Sequence, residues 1–150
     1  MELVLDLHLH SRFSRAVSPR MNLQNMYIWG RKKGINVLSV TDFTHPVWFK
    51  EAASQLIEKN EGIYTLKSEI DIENSTKLPN REGSVGMHYV FSTEVAAIYT
   101  ENGKSHRIHN LIFSPNIETC EKINKAFTAR RINLSADGRP ILGISARNLC

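Results

Sequence analysis

The sequence predicts an α/β fold built from consecutive β-α-β units, arranged as a layer or a β/α barrel. Three observations predict it. Apolar and polar residues alternate from Glu2 to Leu9, a period of two that belongs to a strand. A helical apolar stripe follows, bounded by Asn22 and Gly34. A second apolar run, Ile35 to Asp42, then leads into Pro46, a residue suited to the first helical turn.

Each element has its own local reason. In the first strand Leu3, Leu5, Leu7 and Leu9 occupy one face and Val4, Asp6, His8 and His10 the other. A loop rich in serine and arginine, SRFSRAVSPR, separates it from the helix. Asn22 offers a side-chain acceptor to the first free amides, and Leu23, Met26 and Trp29, with Tyr27 beside them, form the buried stripe. Ile35–Asp42 reads as a buried strand with a polar end. A second helix is expected after Pro46, with Trp48, Ala52, Leu56 and Ile57 roughly on one side, and a third strand over Gly62–Leu66. Asp71 to Met87 is polar and contains Pro79, Gly83 and Gly86, so it reads as a loop or insertion. His88–Thr100 and Ser105–Ser114 read as a β-hairpin, because Asn102-Gly103 between alternating segments favours a tight turn. Ile117, Cys120, Ile123 and Phe127 mark a helix. Ala136–Pro140 reads as a turn, Ile141–Ile144 as a short strand, and Ser145 as a cap.

Bulk composition narrows the function classes. The chain has 150 residues, so one domain, 1–150, is expected. Its apolar content of 41% and charged content of 23% are ordinary for a globular protein, and no apolar run reaches membrane-spanning length. No basic, apolar leader opens it, and Cys120 and Cys150 make neither a disulfide framework nor a zinc knuckle, so a cytoplasmic setting is expected. The net charge of +4, with Arg31-Lys32-Lys33 and Arg130-Arg131, is compatible with a phosphate or nucleic-acid partner or with solvated helix faces.

The chemistry concentrates at strand ends. His8 and His10 are two residues apart, so on a strand both imidazoles point one way and can converge on a metal ion. Asp6 is placed to orient one of them through its free ring N–H. Asp42 and His45 follow the second strand, at the end where sites form in parallel α/β folds. Glu94 interrupts the apolar stretch VFSTEVAAI, and His109 stands at the edge of another, RIHNLIF. A half-buried carboxylate requires a cation or hydrogen-bond donors. Taken singly, each of these has a plainer reading as a capping, turn or edge residue. As a set they point to a divalent metal site of histidines and carboxylates, suited to zinc, manganese or iron and able to acidify water and hold a phosphoryl group. Ser11, Arg12 and Arg15 follow directly and are candidate phosphate contacts, with the arginines equally readable as ordinary loop charges.

DLHLHS, TDFTHPVW, STEVAAIY and HNLIF, in this order, resemble the polymerase-and-histidinol-phosphatase (PHP) family. HSRFSRAVS, MNLQNMYIWGRKKGINVL and SADGRPILGISARNL make the chain most similar to the N-terminal part of the endonuclease Q branch. The resemblance implies a PHP-type, TIM-like distorted β/α barrel and a multinuclear metal-dependent phosphoesterase. It further implies cleavage of DNA on the 5′ side of deaminated bases or at abasic sites. It carries His8 and His10 onto the first-motif ligands, Glu94 onto a bridging carboxylate and His109 onto the next histidine. The second motif departs from the family's usual TDH, and either Asp42 or His45 fills it. The family's remaining ligands would lie beyond residue 150.

A β/α barrel typically needs ~250 residues. A partial, unclosed barrel is therefore expected, one that needs its missing C-terminal half or a complementing polypeptide to finish the site. Three functions follow as expectations. The first is the N-terminal portion of a DNA endonuclease, inactive or weakly active alone. The second is a PHP-type phosphatase for a small phosphate ester, and the third a non-catalytic remnant that binds metal or DNA.

Overall fold

The computed structural model describes residues 2–78 and 86–149. One mixed sheet of six strands organises it. Strand β1 (Leu5–Asp6) pairs in parallel with β2 (Val37–Val40), and β2 pairs in parallel with β5 (His88–Glu101). On the far side of β5, β4 (Ile63–Leu66) runs antiparallel and carries β3 (Leu56–Asn60) at its other edge. Beyond β4's short contact, β6 (Lys104–Ser114) runs antiparallel to the rest of β5 through the turn at Asn102 and Gly103, both with positive φ.

The helices are α1 (Leu23–Lys33), α2 (Pro46–Gln55), α3 (Glu69–Ser75) and α4 (Ile117–Ala129). Asn22 caps α1 by accepting from the Asn25 amide, and Gly34 ends it in the left-handed region at φ 81°. Asn116 caps α4 in the same way through the Thr119 amide. Ser145 caps a final 3-10 turn, Ala146–Asn148. Among the described residues no helix is long and apolar enough to cross a membrane.

All four helices contribute to the core on one face of the sheet. Leu38 and Val40 of β2 and Tyr89 and Phe91 of β5 pack there with Leu23, Tyr27, Trp48, Ile72 and Cys120. The alternate residues face the other way: Val37, Ser39, Val90, Ser92 and Glu94. On this second face Leu5, Leu7, Val37, Val90 and Phe113 line an open apolar cavity of about 520 Å³. The Ser39 and Ser92 hydroxyls pair farther along it. One face of the sheet is thus a closed core, and the other is an apolar floor open to solvent with polar groups at one end.

Several sequence expectations need correction. The parallel β-α-β-α-β rhythm stops after β2, since β4 and β3 form an antiparallel hairpin. Leu56 and Ile57 belong to β3 rather than to α2, because the helix ends at Gln55 and the backbone turns extended at Leu56. The segment expected as a loop from Asp71 begins inside α3, whose acidic first turn, Glu69 and Asp71, suits a helix N-terminus. Pro79 and Gly83 lie outside the described residues. The first strand shortens to Leu5–Asp6, and Ile141–Ile144 contributes a single parallel bridge, Ile141 to Ala96. The β5–β6 hairpin, α1 and α4 form where the sequence places them. A closed barrel is not present among the described residues; the observed fold is a mixed α/β sheet with helices on one face.

Candidate metal centre

β1 ends at Asp6, and the chain continues to His8 and His10 alongside the end of β2. Their imidazoles meet the carboxylate of Glu94 on β5. His8 Nε2 and His10 Nε2 each lie 3.0 Å from Glu94 Oε2, with the two rings edge to face and their centroids 5.3 Å apart. His109 on β6 reaches the same carboxylate through Nδ1 and Oε1. Register explains this last contact. His109 pairs with Ala96, two residues beyond Glu94, so both side chains project from the same face. One ligand atom each from His8, His10 and Glu94 falls within a 4.8 Å span. The Glu94 side chain is only 6% exposed, whereas His8 and His109 are 55% and 57% exposed, so the group opens toward solvent on the imidazole side.

Asp42 stands behind His10. It lies two residues past β2, in the left-handed region at φ 57°, which Asp tolerates better than most residues. This conformation sits with a fully buried carboxylate that has four donors. His10 Nδ1 meets Oδ1 at 3.1 Å, and the Thr41 hydroxyl donates to the same oxygen at 3.1 Å. The Ser11 amide and the Ser14 hydroxyl donate to Oδ2 at 2.6 and 2.8 Å. Burial disfavours the charge on Asp42, but the hydrogen bonds from His10, Ser11 and Ser14 outweigh it and hold the carboxyl below its usual range. Glu94 behaves alike: burial opposes its charge, and the His8 and His109 hydrogen bonds with the nearby His10 charge prevail. For His10 the hydrogen bond to Asp42 is the largest influence and raises its pKa, with burial acting against it. Each nitrogen of this ring faces a carboxylate oxygen, a geometry that favours its protonated form.

The donor set fits a divalent ion. Imidazole nitrogens and a carboxylate suit zinc, manganese or iron, and an Asp behind a ligating His fixes the tautomer that exposes Nε2. Glu94 presents its two oxygens to different imidazoles, an arrangement open to a bridging role.

The other sequence candidates sit elsewhere. His45 is outside the group: its Nδ1 accepts from the Trp48 amide at 3.4 Å and caps α2, and its ring stacks on Phe13 at 4.3 Å. Burial lowers its pKa, opposed in part by a hydrogen bond with the Ser135 backbone. Asp6 pairs through its backbone with Leu38, and Asp42 takes the place behind His10 that the sequence offered to Asp6. Ser11 is buried, its amide spent on Asp42 and its hydroxyl on the Phe13 amide. Arg12 is paired with Glu51 at 2.6 Å and lies over the Phe13 ring. Arg15 is 82% exposed and faces Asp137 at 3.5 Å. Sequence reasoning missed the segment Ala136–Pro140 as part of the site. Gly138 packs so close to the Asp42 carboxylate that a Cβ there would lie 2.5 Å from Cγ and Oδ2 and collide with the Ser14 hydroxyl. ADGRP reads only as a turn because nothing local in it marks a distant aspartate.

Fold and site together define a histidine-and-carboxylate cluster on the open face of a mixed α/β sheet. No protein-family profile matches the chain. Over 145 residues it is 26% identical to an uncharacterized protein of Methanocaldococcus jannaschii, covering 97% of this chain and 14% of that protein. The fold is similar to the crystal structure of a lesion-specific endonuclease from Pyrococcus furiosus, with a TM-score of 0.74 at 20% identity over 98% of this chain. It is equally similar to endonuclease Q bound to a 27-mer duplex substrate with an abasic lesion at the active site, with a TM-score of 0.74 at 22% identity over 97% of this chain. The chain spans 30% of each of those solved chains.

Proposed function

We propose that this chain is the metal-binding portion of a divalent-metal-dependent phosphodiesterase that acts on damaged DNA, a PHP-type enzyme of the endonuclease Q kind. The observation that carries the reading is the convergence of His8, His10 and His109 on Glu94, with Asp42 locking His10 from behind. His8, His10, Glu94 and His109 would hold the ions, zinc foremost, with Asp42 as the orienting partner. A bound divalent ion supplies acidified water and charge neutralisation at a phosphoryl group. The chain's own residues supply the rest. Asp42 accepts the Nδ1–H of His10 and so directs its Nε2 toward Glu94. The buried carboxylates hold negative charge ready for cations, and the exposed imidazoles leave a solvent path for a large substrate.

The likeness to a nuclease solved with an abasic duplex supports DNA as the substrate class. The deaminated-base and abasic-site specificity, with cleavage on the 5′ side, belongs to this proposal. A second reading, hydrolysis of a small phosphate ester, uses the same ligands and differs only in substrate. The third is binding of metal or DNA without turnover, for want of the family's remaining ligands. We infer that further polypeptide, in the same chain or separate, covers this face and completes the ligand set, so the 150-residue chain alone cleaves weakly or not at all.

The test is to load the chain with zinc or manganese and follow cleavage of duplexes containing uracil or an abasic site beside hydrolysis of p-nitrophenyl phosphate. Lesion-dependent nicking abolished by a chelator and by Glu94→Gln supports the reading. Ester hydrolysis with no nicking favours the second. Robust nicking by the chain alone removes the need for further polypeptide.

A further inference from the structure

The segment Ala136–Pro140 is a strap tied at both ends to the metal centre. At one end the Gly138 amide donates to Phe13 O at 3.1 Å, the Thr44 hydroxyl donates to Gly138 O at 3.4 Å, and the Gly138 Cα sits against Asp42. At the other end Ala96, two residues past Glu94, donates to Pro140 O at 2.9 Å and accepts from the Leu142 amide at 2.9 Å. Arg139 lies between these anchors. Its Nε faces Asp137 Oδ1 at 3.9 Å, and Arg15 Nε faces the other oxygen of Asp137 at 3.5 Å. Arg139 is 34% exposed.

We propose that Arg15 and Arg139, gathered by Asp137 on a strap beside the metal centre, form a clamp for a phosphate of a nucleic-acid backbone. The charges favour an anion, because two guanidinium groups flank one carboxylate. The geometry favours a phosphate. Each arginine turns its Nε edge to Asp137, which leaves the paired Nη donors for the fork geometry that phosphate oxygens accept. A cavity of about 260 Å³ opens between them, lined also by Asn133, Pro140 and Ile141. The position selects the partner class. The clamp lies beside the histidine group and not within it, so it addresses a second phosphate, flanking the one at the metals. A backbone with phosphates in series meets both; a small monoester has nothing to place there. Arg12 cannot serve, since Glu51 and Phe13 already hold it. The clamp rests on the phosphodiesterase reading of the metal centre.

The experiment measures anisotropy of a labelled duplex with one abasic site against salt concentration. The proteins are the metal-loaded chain, Arg15→Ala, Arg139→Ala, the double variant and Arg139→Lys, each checked for metal content. Arg15 is exposed, so its variant folds even if Arg139→Ala does not. The double variant is expected to lose more than tenfold in affinity with metal content unchanged. Its slope of log K against log salt should flatten by about 0.9, the value for one duplex phosphate contact. Arg139→Lys should recover part of the affinity. Wild-type affinity and slope in the double variant would overturn the clamp, as would loss of metal from the arginine variants. A chain that ignores the duplex but is stabilised by millimolar inorganic phosphate through these arginines would overturn the nucleic-acid assignment. Binding of the duplex through the clamp by a chain that retains no metal would leave the clamp standing and sink the phosphodiesterase reading instead.

Discussion

At the scale of single residues the account turns on His10, held between Asp42 and Glu94. A ring that meets a carboxylate at each nitrogen is oriented before any ion arrives, and Asp42 supplies that orientation from a fully buried position. Partners of this kind typically contribute about 10–100-fold to metal affinity. Asp42→Ala should therefore weaken zinc binding by about that factor in a chelator competition, with the ligand histidines intact. The pH dependence follows from the shifts. The pKa of His10 is raised, so its contribution to stability is full below the ordinary imidazole value and is lost as pH climbs through the raised value. Asp42 and Glu94 are lowered, so their contributions stand above the ordinary carboxylate value and disappear as pH falls through the depressed ones. Urea midpoints of the metal-free chain should fall on both sides of a plateau between these limits, and Asp42→Asn should flatten both arms. Imidazole ligands bind metal in the neutral form, so zinc affinity should climb as pH rises through the raised His10 pKa. At this scale the HxH spacing and the isolated Glu94 were legible in the sequence. The orienting role of Asp42 was not, because it depends on a left-handed φ and on which strand lies next to β1.

At the scale of elements, local chemistry explains most of what forms. Asn22, Gly34 and the Asn102-Gly103 turn set the boundaries of α1 and the long hairpin and were visible as residue types, whereas the Asn116 cap of α4 emerged only in the structure. What could not be seen was where an apolar stripe changes period. Leu56 and Ile57 continue the α2 pattern in sequence, yet their ladder with Leu66 and Thr65 pulls them into β3. The strap is the element whose importance depends wholly on tertiary contact. Gly138→Ala should push against the locked Asp42 carboxylate and the Ser14 hydroxyl. A cost of about 1–3 kcal/mol is expected for such overpacking, read as a lower urea midpoint. Zinc affinity should drop in the same variant, and a variant with unchanged stability and affinity would show that the strap yields freely.

For the whole molecule, the two faces of one sheet have opposite fates. Phe91 points into the closed core and is fully buried, whereas Phe113 lies on the open apolar face and is half exposed. Phe91→Ala should cost about 3–5 kcal/mol. Phe113→Gln should stay within about 0.5 kcal/mol, as an exposed site does. A large, concentration-dependent cost at Phe113 would mean that this face is covered in solution. The sequence carried the α/β character. It did not carry the antiparallel β3–β4 arm, because pairing partners are chosen by the sheet and not by the strand.

The central claim is that His8, His10, Glu94 and His109 bind a divalent metal. Elemental analysis of the purified chain against a His8→Ala, His10→Ala double variant tests it most directly. The account predicts at least one stoichiometric divalent ion in the wild-type chain and its loss in the double variant with the fold intact by circular dichroism. Equal metal content in the two proteins would contradict it.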